Sequence, residues 1–284
     1  MDARQKMFGD YRQLKAAGVQ VTGGARVTVT VAANRTAVIR FKRTAKNPVV
    51  FEIGRNARVT ITDDCSPTLP ALSDVVAGPG SAVDYFINAQ TGLPAAFCYQ
   101  AELSAESSFH WYFWLRSHAS SDGVISINQA ERSSGSIFGG LVSDEQSEFT
   151  LRLTNNHRAK HSRGVMDVKA IGRGSARLTI DGLIRVASRA AFTDSYLTQD
   201  GVLVSPAAEI RMVPNLEISN NEVKASHSAT VGQLDEHAIH YLTCRGLTPA
   251  VARRLLVKGF FGRLLEKIEP PMIKTEFSRL LADV

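Results

Sequence analysis

The stretch "KASHSATVGQLDEHAIHYLTCRG", Lys224 to Gly246, gathers side chains of metal-binding type. His227 stands between two serines, ahead of an amphipathic segment. Its residue type suits a metal ligand, and equally an ordinary polar residue at the end of a β-region. His237, His240 and Cys244 follow at i, i+3 and i+7, a spacing that on a helix brings three ligands to one side. His157 and His161 fall in an expected loop. The cysteines Cys65, Cys98 and Cys244 are scattered without a C-x-x-C pair, so the chain alone cannot build a four-thiolate zinc or iron–sulfur site. Asp63-Asp64 and Asp194 are the carboxylates nearest to acid/base or calcium chemistry, although paired carboxylates are common turn formers. No G-x-S-x-G elbow, G-x-x-x-x-G-K-[ST] loop or H-E-x-x-H helix occurs, and "GRGSAR" lacks the third glycine of a dinucleotide loop.

Most of the chain that must position these groups alternates with period two. Ala25, Val27, Val29 and Val31 begin the pattern, and Ala37, Ile39, Phe41, then Val49, Phe51, Ile53, then Ala57, Val59, Ile61 continue it. Val83, Tyr85, Ile87, the run Phe97 to Leu103, the run Phe109 to Leu115, Phe149 to Leu153 and Ala176 to Ile180 repeat it. Such alternation predicts strands with one buried face. Two architectures satisfy it. A sandwich or barrel would turn at Asp122-Gly123, Asp181-Gly182 and Asp200-Gly201. A parallel β-solenoid would place small residues at its corners, as "GAR", "GSA", "GSI" and "GSA" suggest.

Helices are expected at the ends. One is predicted near residues 2–17, with Met7, Tyr11 and Leu14 at helical spacing. A second runs from about Asp235 to Arg245 and is closed by Gly246. A third has Thr248 as N-cap and Pro249 at its first position, with an apolar stripe of Val251, Leu255, Leu256, Phe260, Leu264, Leu265 and Ile268. Gly259 and Gly262 weaken it by about 1 kcal/mol each relative to alanine, which suggests a close backbone contact. A short fourth, about 271–281, carries Ile273, Phe277, Leu280 and Leu281. The expected division is therefore 1–20, 21–232 and 233–284.

The 284 residues carry a net charge of +6 and a pI near 9.3. The basic stretch Arg158, Lys160, Arg163, Lys169, Arg173 and Arg177 contains no aromatic residue for base stacking, which favours a solvated face over a nucleic-acid site. No run approaches the roughly 18 apolar residues of a membrane span. "MDARQKMFGDYRQLKAAG" has no apolar h-region, and with the cysteine usage this points to a cytoplasmic protein.

Ser226-His227, Ala229 to Gly232, Asp235-Glu236, Tyr241-Leu242, Arg245 to Leu247, Ala252 and Gly259-Phe260 together resemble the C-terminal signature of the SufB/SufD family of SUF iron–sulfur cluster assembly scaffolds. Upstream, "HRAKHSRGVMDVKAIGRGSARLTIDGLIRV" and "VPNLEISNNEV" are similar to further family segments in the same order. The resemblance covers about residues 148–268. It implies a right-handed parallel β-helix followed by a small C-terminal helical domain, to which the spacing adds the short N-terminal helix, and it implies a non-enzymatic scaffold role. It implies an ABC-type ATPase partner docked on Tyr241, Arg245, Leu255, Leu256, Phe260, Phe261 and Leu264. It also implies pairing through the β-helix with a SufB-like sister or a second copy. His227 matches the SufD histidine at that seam and is the implied iron or cluster ligand. No cofactor is expected on the chain alone; a cluster or iron would be shared with the partner. Ala208 stands where SufB has a cysteine, Ser228 where SufB has an acid, and Ala225 where SufD often has a cysteine. The chain therefore resembles a short SufD, without most of an N-terminal helical domain. The alternatives are a β-helical carbohydrate-active enzyme using Asp63, Asp64 or Asp194, and a nucleic-acid-binding module using residues 158–177.

Overall fold

The computed structural model describes residues 18–23, 25–42, 47–65, 71–89 and 96–284. The helix expected near 2–17 lies outside them. From residue 27 onward the strands join two parallel sheets in strict alternation. One sheet runs β1 (Val19–Thr22), β2 (Val27–Val31), β4 (Val49–Ile53), β6 (Ala71–Ala77), β8 (Ala96–Leu103), β10 (Ser121–Gln129), β12 (Glu148–His157), β14 (Arg177–Val186) and β16 (Glu209–Ile218). The other runs β3 (Thr36–Lys42), β5 (Arg58–Asp64), β7 (Ala82–Ala89), β9 (Ser108–Ser117), β11 (Ser134–Ser143), β13 (Arg163–Gly172), β15 (Asp194–Leu203) and β17 (Lys224–Gln233). Each coil gives one strand to each sheet, so the fold is a β-solenoid. Among the described residues only β1 and β2 pair antiparallel.

Ala25 is exposed ahead of β2, while the other alternating residues point inward, and one continuous core runs along the stack from Val27 to Leu197. The coil lengthens as it goes: the register offset is 22 residues at Val27↔Val49 and 32 at Arg177↔Glu209. Wider coils need stacked bulk and matching gaps. The three Asp-Gly pairs, expected as hairpin turns, lie inside β10, β14 and β15 instead. Their glycines make room: a Cβ on Gly123 would sit 2.1 Å from Cζ of Phe97 in the preceding coil. "GSI" is likewise inside β11 rather than at a corner.

One corner is built the same way in successive coils. Gly80, Glu106, Arg132, His161 and Phe192 take left-handed φ values of 55 to 67°. Each is followed by a buried hydroxyl: Ser81, Ser107, Ser133, Ser162 and Thr193 donate to the carbonyl three residues back, at 2.7 to 3.2 Å. At Ser81, Ser107 and Ser133 the same carbonyl also accepts that residue's backbone N–H, so side chain and backbone tie the bend together.

Three helices follow: α1 (Glu236–Cys244), α2 (Pro249–Glu266) and α3 (Pro271–Ala282). Asp235 caps α1, accepting from the His237 N–H at 2.8 Å, and Gly246 beyond its end has φ +93°. Thr248 caps α2 with Pro249 at its first turn, as expected. α2 and α3 cover the outer face of the β3-to-β17 sheet. Phe86, Tyr112, Trp114, Phe138, Val142 and Ile171 on that face form a second core with Val257, Phe261, Leu264, Ile268, Ile273, Phe277, Leu280 and Leu281. Trp114 is its centre, with ring centroids 5.2 Å from Phe261 and 5.1 Å from Phe277. The inward stripe of α2 is thus rotated from expectation: Val257 and Phe261 face in, while Val251 and Leu255 are exposed.

Candidate functional site

His227 lies on β17, the edge strand of its sheet, directly over Leu197. The column beneath it is Met166, Ile137, Trp111, Tyr85, Ile61 and Ile39, every one buried in the solenoid interior. A parallel in-register stack repeats side-chain direction from coil to coil. His227 therefore occupies an interior position, and it is exposed because no further coil covers it. The rest of the last coil shares this condition. Ile210, Met212 and Leu216 on β16 are only partly covered, and Ile218 and Val231 are open to solvent. Ser228, the next residue, faces outward and lies 3.2 Å from the Tyr196 hydroxyl. Ala208 is buried at the turn into β16.

The other histidines do not join His227. His157 ends β12, inside the solenoid rather than in a loop. Its Nδ1 lies 2.8 Å from Ser162 Oγ and its Nε2 3.0 Å from Ser195 Oγ. Burial pushes its pKa down to about 4, so it is neutral in the folded chain. His161 sits in the left-handed corner and stacks on Phe192, centroids 4.9 Å apart. On α1, His240 Nε2 lies 3.6 Å from Cys244 Sγ. No set of three or more His, Cys, Asp or Glu side chains that could hold a metal exists among the described residues. His227 belongs to no such set among the described residues.

The carboxylates considered for catalysis do not converge. Asp63 is buried, and its Oδ2 accepts from the hydroxyls of Tyr85 at 2.9 Å and Tyr99 at 2.8 Å. Asp64 points to the opposite face, where the Asn88 amide donates to it at 2.8 Å. Asp194, on β15, is five strand spacings from β5, about 24 Å away. The basic stretch is also dispersed. Arg158 pairs with Glu102 at 3.0 Å, and Lys169 is buried beneath α2 against Asp200 at 2.7 Å and the Phe260 ring. Arg173 and Arg177 face Asp144 and Glu209, both at 3.8 Å.

The helices present a separate surface. Tyr241 is 56% exposed with the Arg245 guanidinium over its ring, and Leu255 and Val251 are 49% and 44% exposed. Leu256 and Phe260 are half-buried. Phe261 and Leu264, expected on the docking surface, are fully buried against the solenoid and serve as its floor. Sequence spacing could not separate them from Leu255, because the helix is apolar on more than one side.

The model of the SUF system FeS cluster assembly SufBD core domain matches residues 30–260. The chain belongs to the SufBD family. The match begins well upstream of the motif-bearing half, which ties the N-terminal coils to the same domain. Similar proteins include the iron–sulfur cluster assembly protein SufD of Escherichia coli, 35% identical over 108 residues, which are 38% of this chain and 26% of that protein. The SufBD family protein Rv1462 of Mycobacterium tuberculosis is 36% identical over 94 residues, 33% of this chain and 24% of that one. The chloroplastic protein ABCI7 of Arabidopsis thaliana is 31% identical over 124 residues, 43% and 26% of the two chains. The chain thus spans about a quarter of the length of these relatives. None of the described helices is long and apolar enough to cross a membrane.

Proposed function

We propose that this SufBD chain is a non-catalytic, cytoplasmic scaffold subunit of a SUF-type iron–sulfur assembly complex. It pairs through the last coil with a SufB-like sister or a second copy, and it receives an ABC-type ATPase on the exposed side of α1 and α2. His227 stands at the pairing seam and contributes an imidazole to iron or a nascent cluster whose thiolates come from the partner. The cluster is cargo rather than a resident group of this chain. The observation that carries the reading is the interior column ending in His227: among the described residues, a position buried in the coils beneath is exposed in the last one.

Anaerobic reconstitution with the sister chain, iron and sulfide tests the ligand role. His227→Ala is expected to change the visible absorption of the cluster while leaving thermal unfolding unchanged, because the side chain is exposed. An unaltered spectrum rejects the role. Docking is tested by Leu255→Asp rather than by truncation, since removing α2 and α3 would bare the apolar sheet around Trp114. Loss of ATPase co-purification is expected.

A further inference from the structure

The outer side of α2 is more specific than a bare apolar stripe. Val251, Leu255, Lys258 and Gly262 fall at i, i+4, i+7 and i+11, one line along the helix, with Arg254 on one flank and Arg263 on the other. Among the described residues, no ion pair engages Arg254, Lys258 or Arg263. Their neighbours are committed: Arg253 pairs with Glu236 at 3.0 Å, and Lys267 with the buried Asp167. Glu266 is the helix's one acid.

The positive field continues onto the solenoid corner. Arg116 Nε donates to Asp144 Oδ2 at 2.8 Å, while Arg173 Nη1 and His118 Nδ1 each lie 3.8 Å from the same carboxylate. Burial chiefly, then repulsion from Arg116 and Arg254, disfavours the charge on Arg173, and Asp144 favours it. One carboxylate thus serves two guanidiniums, with a third beside them. A Cβ added at Gly259 or Gly262 would meet nothing within 4 Å, so no contact among the described residues accounts for the two glycines.

We infer that the surface received by α2 is acidic, setting carboxylates against Arg254, Lys258 and Arg263 around an apolar contact on Val251 and Leu255. The inference rests on the ATPase docking proposed above and specifies the chemistry of the ATPase's contact. Exposed aliphatic side chains in the middle of the cations favour a protein over a polynucleotide.

Purified SUF ABC-type ATPase, titrated calorimetrically against the full chain at about 50 and about 300 mM salt, is the test. Wild-type affinity is expected to fall about tenfold across that range, and the pair Arg254→Glu with Lys258→Glu to weaken low-salt binding about tenfold or more. Leu255→Asp should abolish binding. Thermal unfolding confirms that each variant folds, Arg254 and Leu255 being exposed and Lys258 half-buried. If Leu255→Asp abolishes binding while charge reversal and salt leave Kd unchanged, the acidic contact is overturned and the docking stands. If Leu255→Asp also has no effect, docking fails and the inference with it. Salt-dependent capture of a polynucleotide in place of the ATPase overturns it as well.

Discussion

His157 shows what a single buried side chain does to the energetics of the stack. It is held neutral between Ser162 and Ser195, with its pKa lowered from 6.5 to about 4 by burial. The unfolded chain therefore binds a proton that the folded chain refuses between about pH 6.5 and pH 4. Folding stability is full above the unfolded value and falls as pH drops through that window, by about 3 kcal/mol at most for this group. Urea midpoints measured from pH 7.5 to 4.5 should show the decline, and His157→Gln should flatten it; an equally steep slope in the variant assigns the loss to other groups. The sequence places this histidine near a turn but does not show that it faces inward. That fact depends on a register that shifts with each longer coil, from 22 to 32 residues. His227 poses the same difficulty: only the stack beneath it reveals an interior position left uncovered.

At the scale of elements, legibility follows exposure. Strands with one wet face, such as Phe97 to Leu103 or Phe149 to Leu153, alternate plainly and are read correctly. β11 and β13 do not, because helices cover their outer face and both sides are buried. The corner hydroxyls at 81, 107, 133, 162 and 193 are a repeat too, but their spacing grows and no fixed period finds them. Helix caps were legible because they are local, whereas the inward side of α2 was not, since the helix is apolar around much of its circumference. The two sides of α2 should separate in experiment. Phe261→Ala removes a ring packed on Trp114 and is expected to cost about 3 to 5 kcal/mol. Leu255→Ala, on the wet side, should stay within about 0.5 kcal/mol. Denaturant unfolding checks both, and comparable losses would mean that the docking side is packed in the free chain.

At the scale of the whole molecule, the two ends of the stack differ. β1 folds back antiparallel on β2 and covers one edge at the N-terminal end. β16 and β17, ten residues each, have no strand beyond them among the described residues. Unpaired strand edges with partly covered apolar residues are a template for another chain, and soluble proteins normally blunt them with charge, proline or a covering element. Here Pro214 lies within β16 and charges flank the strands, but Ile218 and Val231 stand exposed in the mouth of the last coil. The two ten-residue strands of that mouth offer an extended edge to a partner. Ile218→Lys with Val231→Lys should therefore prevent pairing, with thermal stability of the single chain within about 0.5 kcal/mol of wild type, because neither side chain is packed. Sedimentation of the chain alone, and mixed with its SufB-like sister, distinguishes a second copy from a heteromer. Unchanged association of the lysine variant in both mixtures would place the pairing surface elsewhere and leave His227 without a seam to serve.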